Sequence, residues 1–141
     1  MKLKEPIVQQ NEYGCGVACF AFSLNLTYLQ AAKILGQRQT KSERFYVKDL
    51  VGQLNLIKKG HIHKYVKPKI LPRVYHEGVI VLVARSKLHP TGHYLVRHGG
   101  LWMDPWINLN KWKQISKAAG GYRKRLPSRA MYAIFPPGTN L

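Results

Sequence analysis

Residues 9–24 read QQNEYGCGVACFAFSL, and this stretch decides the fold of the chain. From Cys15 to Leu24 the residues are apolar on almost every side, a pattern that predicts a helix buried inside a domain. Gly14 and Gly16 flank the cysteine, so the backbone can turn sharply here and approach another molecule closely. The sequence therefore predicts that a buried helix begins at a cysteine in a permissive backbone.

Two more helices are predicted in the first half of the chain. Thr27, with Gln30 three residues later, fits a capping box, and Gly36 is placed to end the helix that follows. A polar stretch, residues 37–44, is expected to form a loop. The third helix is predicted where apolar residues recur at helical spacing before Gly60: Val47, Leu50, Val51, Leu54 and Ile57.

Beyond Gly60 the pattern is that of β-strands. Strands are predicted at residues 79–85, 93–97, 101–103 and 129–135. The first of these is unbroken in its apolar character, which is typical of a strand covered on both faces. Gly99-Gly100 predicts a tight hairpin between the second and third. Helices followed by antiparallel strands indicate one α+β domain over residues 1–141, with residues 106–130 a basic, partly helical elaboration on it.

The charge of the chain is strongly unbalanced. Among 141 residues there are 23 Lys and Arg against 6 Asp and Glu, which gives a formal net charge of +17. Such a field attracts nucleic acid, an anionic membrane or an acidic protein, so an anionic partner is expected. Two cysteines are too few for a disulfide framework. Since neither a Sec signal nor a membrane-spanning run is visible, we expect a cytoplasmic protein or one exported by a non-Sec route.

Four positions carry the candidate chemistry, and one of them is either of two neighbouring glutamines. A cysteine at the start of a buried helix has its thiolate stabilised by the helix dipole and by free backbone N–H groups, and Cys15 lies there. A thiol nucleophile needs an imidazole base and a third group that orients the imidazole; His93 and Asp104 supply them. Gln9 or Gln10 is expected to donate a hydrogen bond to an oxyanion. Cysteine catalysis is therefore the predicted chemistry.

Two segments resemble a known family of enzymes. QQNEYGCGVACFAFSL and GHYLVRHGGLWMDPW are similar to the two motifs of the C39 peptidases, the papain-like cysteine peptidases that process bacteriocin leaders. The resemblance implies a papain-like fold and a Cys15, His93 and Asp104 triad. It also selects Gln9, six residues before the cysteine, as the oxyanion donor. The implied activity is hydrolysis of peptide or amide bonds in a peptide or protein, with no cofactor or metal.

The match departs from the family in two respects, and other functions stay open. The family commonly has Asp where this chain has Gly14, and these 141 residues include no counterpart of the ABC exporter to which its best-known members are fused. A papain-like toxin or effector that acts as a deamidase or transferase, with an immunity protein as partner, is the first alternative. The second is a basic nucleic-acid-directed toxin or binding module. A metal site built from cysteines and histidines is disfavoured, because the chain lacks CxxC-like knuckles.

The basic residues between Lys111 and Arg129 have no counterpart in the motif match. We expect them to form a face beside the active cleft that attracts an anionic partner. On this interpretation Arg123, Lys124 and Arg125 serve binding rather than catalysis.

Overall fold

Helices come first in the chain, as the apolar spacing predicts. The computed structural model describes residues 2–36 and 46–141. Within that part the helices are α1 (Cys15–Leu24), α2 (Tyr28–Leu35) and α3 (Val47–Ile57). All three predicted helices are confirmed. The predicted loop at 37–44 lies outside the described residues.

An antiparallel sheet forms the second layer. In the described part of the chain its strands are β1 (Ile62–Tyr65), β2 (Ile80–Val83), β3 (His93–His98), β4 (Leu101–Asp104), β5 (Gly121–Arg123) and β6 (Ala130–Phe135). Their spatial order is β1-β6-β2-β3-β4-β5. Every pair of neighbours is antiparallel. The predicted α+β class, with N-terminal helices packed on a C-terminal antiparallel sheet, is therefore confirmed.

Helix α1 is the buried centre of the helical layer. All residues from Cys15 to Phe22 are buried, and the helix contacts α2, α3 and β3. Asn25 ends it in a left-handed conformation with φ 57°, and its N–H bonds the carbonyls of Ala21 and Phe22. A helix that is apolar all round can be buried on every side, which is why the decisive stretch takes this position.

Helix α2 begins with the predicted capping box. The Gln30 N–H donates to the Thr27 hydroxyl at 3.1 Å, and the Thr27 N–H donates to the Gln30 side-chain oxygen at 3.0 Å. Gly36 ends the helix with φ 87°, a conformation that L side chains rarely adopt. Helix α2 therefore has a defined start at the capping box and a defined end at Gly36.

Strand β2 is covered on both faces, as its unbroken apolar sequence predicts. Ile80 and Leu82 pack into the core between the helices and the sheet. Val81 and Val83 pack into a second apolar cluster with Trp102. Alternate residues of a strand point to opposite faces, so two cores on one strand require every residue to be apolar.

The β3–β4 hairpin places two candidate residues at one end of the sheet. His93 begins β3 and Asp104 ends β4, and the strands are joined by Gly99 and Gly100 with φ 59° and 79°. Positive φ at both central positions is what a type I′ hairpin turn requires. Because the pair is antiparallel, the first residue of one strand and the last of the other lie at the same end.

The expectation for residues 106–130 needs a correction. We expected a partly helical elaboration, but the segment contains a short 3-10 turn (Ile115–Lys117) and strand β5, which adds to the sheet beside β4. Its register pairs Trp102 with Arg123 and Asp104 with Gly121. A three-residue strand is too short to show alternation in the sequence, so its pairing with β4 decides its structure.

No single helix within the described ranges is long and apolar enough to cross a membrane. Helices α1 and α2 pass the length and composition test only when taken together, and they meet at an angle of 109°.

Candidate active site

Cys15 is the first residue of α1, at the end of the helix where backbone N–H groups have no intrahelical acceptor. Gly14 is the N-cap residue, and no side chain caps this end. The thiol is 6% exposed and lies on the wall of a cleft. Free N–H groups and the positive end of the helix dipole therefore lie beside the sulfur atom.

His93 and Asp104 form a buried pair at the end of the hairpin. His93 Nε2 lies 2.7 Å from Asp104 Oδ1, and the carboxylate is 0% exposed. The Trp106 N–H also donates to Oδ1, at 2.9 Å. Since Nε2 is engaged with Asp104, the ring nitrogen that remains for Cys15 is Nδ1.

Cys15 and His93 are hydrogen-bonded, and the charges around them favour the thiolate. Burial raises the pKa of the Cys15 thiol, but the hydrogen bond and the positive charge of His93 outweigh it. Backbone N–H groups of Tyr94 and Gly16 act in the same direction, so the pKa of Cys15 lies below that of an ordinary thiol. These groups favour the thiolate, which is the nucleophilic form of a cysteine.

His93 and Asp104 have pKa values displaced in opposite directions. Burial lowers the pKa of His93, but hydrogen bonds with Asp104 and Cys15 more than reverse this and raise it to about 9. Burial raises the pKa of Asp104, and its bonds with His93, the Trp106 N–H and Arg123 lower it to about 2. Near pH 7 His93 is therefore an imidazolium beside the ionised carboxylate of Asp104, and its positive charge favours the thiolate form of Cys15.

The structure distinguishes the two candidate glutamines. Gln9 is 2% exposed and lines the same cleft as Cys15, whereas Gln10 is exposed. The Gln9 backbone N–H bonds the Pro105 carbonyl at 3.1 Å, which ties it to the end of β4. Its side-chain Nε2 donates to the carbonyls of Asn11 at 3.0 Å and Glu12 at 3.3 Å. An oxyanion in the cleft would compete with those carbonyls for one N–H.

The departure at Gly14 has a steric cause. A Cβ atom at this position would lie 2.2 Å from the Tyr28 hydroxyl oxygen, far inside van der Waals contact. Tyr28 is 7% exposed, and its hydroxyl accepts from Asn11 Nδ2 at 3.3 Å. The Tyr28 hydroxyl from the neighbouring helix therefore leaves no room for a side chain at position 14.

Cys19 is a core residue, as predicted. It is 0% exposed, and burial raises its pKa well above that of an ordinary thiol. Within the residues that the structure describes, no three His, Cys, Asp or Glu side chains come together as a metal site.

His89 belongs to the site, and sequence reasoning missed it. Its ring stacks on that of His93, with centroids 4.1 Å apart and planes 10° from parallel. Neither ring nitrogen has a hydrogen-bond partner among the described residues. Burial and the nearby positive charge of His93 lower the pKa of His89 to about 4, so the ring is neutral at pH 7. Its spacing of four residues from His93, in a loop, gave no signal of stacking.

Arg123 also belongs to the site, which corrects the interpretation of the basic segment. Its Nη1 donates to Asp104 Oδ2 at 3.1 Å. We expected Arg123 to lie with Lys124 and Arg125 on a binding face. Lys124 and Arg125 are exposed, but Arg123 is on β5 and its guanidinium reaches the buried carboxylate. The pairing of β5 with β4 brings it there, and the sequence shows no sign of that pairing.

The cleft beside Cys15 has a volume of about 570 Å³. Gln9, Tyr13 and Cys15 lie on one side, and the loop with His89 and the start of β3 on another. The segment after β4 closes the remaining side with these residues: Trp106, Leu109, Asn110 and Lys113. An extended peptide segment is the kind of ligand that a cleft of this size can hold beside the sulfur atom.

The fold and the site place the chain among proteins of the papain-like α+β fold. It is similar to the crystal structure of the peptidase domain of Streptococcus ComA, described as a bifunctional ABC transporter involved in a quorum-sensing pathway. The TM-score is 0.55 at 20% sequence identity, and the match covers 93% of this chain and 96% of that domain. At this identity the likeness shows the fold. No protein-family profile and no curated protein matches the chain.

Proposed function

We propose that this protein is a cysteine peptidase that hydrolyses peptide bonds with Cys15 as nucleophile, His93 as acid and base, and Asp104 as the group that orients the imidazole. The observation that carries the proposal is the hydrogen-bonded series from Cys15 through His93 to Asp104 on the wall of the cleft. The peptidase fold of the ComA domain supports peptide bonds as the first choice over side-chain amides.

The first half of the reaction transfers the acyl group to sulfur. The Cys15 thiolate attacks the carbonyl carbon of the peptide bond, which forms a C–S bond and a negatively charged oxygen. His93 then gives its proton to the leaving amine as the C–N bond breaks. A thioester on Cys15 and a neutral imidazole remain.

The second half returns the site to its starting state. The neutral His93 takes a proton from water, and the resulting hydroxide attacks the thioester. When the C–S bond breaks, the carboxylic acid product leaves, and Cys15 and His93 are again a thiolate and an imidazolium. Asp104 stays ionised throughout, since its pKa is about 2.

The oxyanion is assigned to two donors. One is the backbone N–H of Cys15 at the start of α1, and the other is Nε2 of Gln9 in the same cleft. Each donor in such a site contributes to the rate by stabilising the charge that develops on the carbonyl oxygen. In the unliganded protein the N–H groups of Gln9 Nε2 bond the carbonyls of Asn11 and Glu12. One of these hydrogen bonds must therefore break before Gln9 can donate to the oxyanion.

The proposal is tested by labelling and by product analysis. Iodoacetamide at pH 6 should modify Cys15 before Cys19, because the pKa of Cys15 is lowered and that of Cys19 is raised. Incubation with a peptide library should yield new termini detected by mass spectrometry, and C15A should abolish them. C19A is the matched control and should keep the activity. The same spectra separate the alternatives, because a deamidase changes side-chain mass without cleavage and a transferase adds mass.

Two outcomes would contradict the proposal. Preferential labelling of Cys19 would show that the thiolate has been assigned to the wrong residue. Cleavage that survives in C15A would show that another group is the nucleophile.

A further inference from the structure

The carboxylate of Asp104 has each of its oxygens occupied by a different set of donors. Oδ1 receives His93 Nε2 at 2.7 Å and the Trp106 N–H at 2.9 Å. Oδ2 receives Arg123 Nη1 at 3.1 Å. Donors on both oxygens stabilise a buried carboxylate, because an ionised group without partners is strongly unfavourable in a protein interior. Of the donors named here, only Arg123 bonds Oδ2.

The register of the sheet brings the guanidinium to this position. Asp104 lies opposite Gly121, and Arg123 lies opposite Trp102. Arg123 is therefore the diagonal neighbour of Asp104 on the same face of the sheet, a separation that a long side chain spans. The residue directly opposite Asp104 is a glycine, so no side chain stands between them.

We propose that Arg123 is a positioning residue of the active site: it fixes Oδ2 of Asp104 so that Oδ1 faces His93, and it supplies the positive charge that balances the buried carboxylate. This inference rests on the proposed function of Cys15. It adds Arg123 to the series of Cys15, His93 and Asp104, as a residue that acts through Asp104 and does not touch the substrate.

The charges around Asp104 determine in which direction the pKa of Cys15 should move when the charge of Arg123 is removed. The groups that face one another here are the Cys15 thiolate, the His93 imidazolium, the Asp104 carboxylate and the Arg123 guanidinium, with neutral His89 stacked on His93 and the buried Cys19 thiol nearby. They form two opposite pairs. Without the Arg123 charge the set carries net negative charge, so protons bind more tightly. The pKa of Cys15 should then rise.

The test is the pH dependence of Cys15 alkylation, which requires no knowledge of the substrate. Rates are measured from pH 4 to 9 for the wild type and for R123Q, R123K and R125Q, with the modified residue identified by mass spectrometry. In R123Q the acid limb of the profile should move up by about half to one pH unit, which lowers the rate by about threefold to tenfold at pH values below the midpoint of the wild-type limb. R123K keeps a positive charge and should restore most of the shift. R125Q removes an exposed charge from the same segment and should match the wild type.

The results separate this inference from the proposed function. If R123Q has the acid limb of the wild type, Arg123 is an ordinary surface charge and the inference is overturned. A lowered plateau without movement of the limb also overturns it, since a merely structural change has that effect. Should R123Q fail to fold by circular dichroism, R123M takes its place, with the same limb shift expected. If the acid limb of the wild-type alkylation profile has its midpoint at the pKa of an ordinary thiol, the proposed function is overturned, and this inference with it.

Discussion

At the scale of single residues, the charge on the imidazolium of His93 determines what can lie beside it. The ring stacked on it, His89, has a pKa of about 4 and is neutral, so the stack places an uncharged ring against a charged one. If both rings were protonated, two like charges would lie 4.1 Å apart in a site removed from water. The fold therefore resists protonation of His89.

The variant H89F tests this at the level of stability. Unfolded His89 takes up a proton near pH 6.5, whereas the folded ring does so only near pH 4. Acidification through this window therefore costs the wild type stability. Phenylalanine keeps the stack and does not titrate, so the free energy of unfolding of H89F relative to that of the wild type should rise by about 1–3 kcal/mol between pH 7 and pH 4. Urea unfolding at several pH values measures the difference.

The exposed histidine of strand β1 provides the control for that experiment. H63F makes the same substitution at a solvent-exposed histidine outside the stack, so it measures the effect of the His-to-Phe change itself. A parallel pH dependence for H89F and the wild type would show that the stack does not suppress protonation of His89.

At the scale of elements, the start of α1 is determined by its contact with α2. Gly14 has φ −87° and ψ 6°, which an alanine can adopt, so the backbone alone does not require glycine there. The Tyr28 hydroxyl does, since a Cβ atom would lie 2.2 Å from it. The N-terminal end of α1, which borders the cleft, is thus positioned by the close contact between Tyr28 of α2 and the N-cap residue Gly14.

Replacement of two glycines separates steric from conformational effects. G14A should destabilise the protein by about 1–3 kcal/mol, because the methyl group forces the two helices apart. The same change in a Y28F background should cost less, since the clashing oxygen is gone. G52A is the control: Gly52 lies inside α3 with nothing within 4 Å of its Cβ position, so alanine should stabilise by about 0.5–1 kcal/mol. Thermal unfolding of the four variants measures this, and equal costs of G14A in both backgrounds would contradict the steric explanation.

At the scale of the whole molecule, which has a formal net charge of +17, some charged side chains bond other groups of the protein and others are exposed to solvent. Asp104 and Arg123 neutralise each other in the site, and Glu77 bonds His98 and the Gly99 N–H at the β3–β4 turn. Lys117 lies over the exposed Trp112, 4.2 Å from its ring centroid. The lysines and arginines that remain exposed, among them Lys124 and Arg125, make the protein surface basic, and its field extends over about a Debye length at physiological salt.

The double charge reversal K124E/R125E tests whether this surface is separate from catalysis. Cys15 alkylation should be unchanged, since neither side chain is part of the site. Affinity for heparin, a generic polyanion, should fall about tenfold, or about 1.4 kcal/mol, at low salt, and the loss should shrink as salt is added. Arg123 is left intact, because its reversal would place a carboxylate against Asp104. If alkylation falls with the double reversal in a folded protein, the basic surface and the site are not independent.

The amino-acid sequence by itself determined the helices, their ends and most of the strands. Thr27 with Gln30 begins α2, Gly99-Gly100 makes the hairpin, and the apolar run after Cys15 is buried, because each depends on residues a few positions apart. The same local patterns placed Cys15 at a helix start. Cleavage rather than deamidation, group transfer or nucleic-acid binding stays a prediction.

Only the tertiary structure decided which side chains complete the site. His89 lies on His93, the Tyr28 hydroxyl fills the space beside Gly14, and Arg123 reaches Asp104 across a strand that the sequence did not predict. Such contacts are set by sheet register and by the approach of one element to another. Neither leaves a periodic trace in the chain, because the strand that carries Arg123 is three residues long and is held in place by its partner β4 rather than by its own pattern.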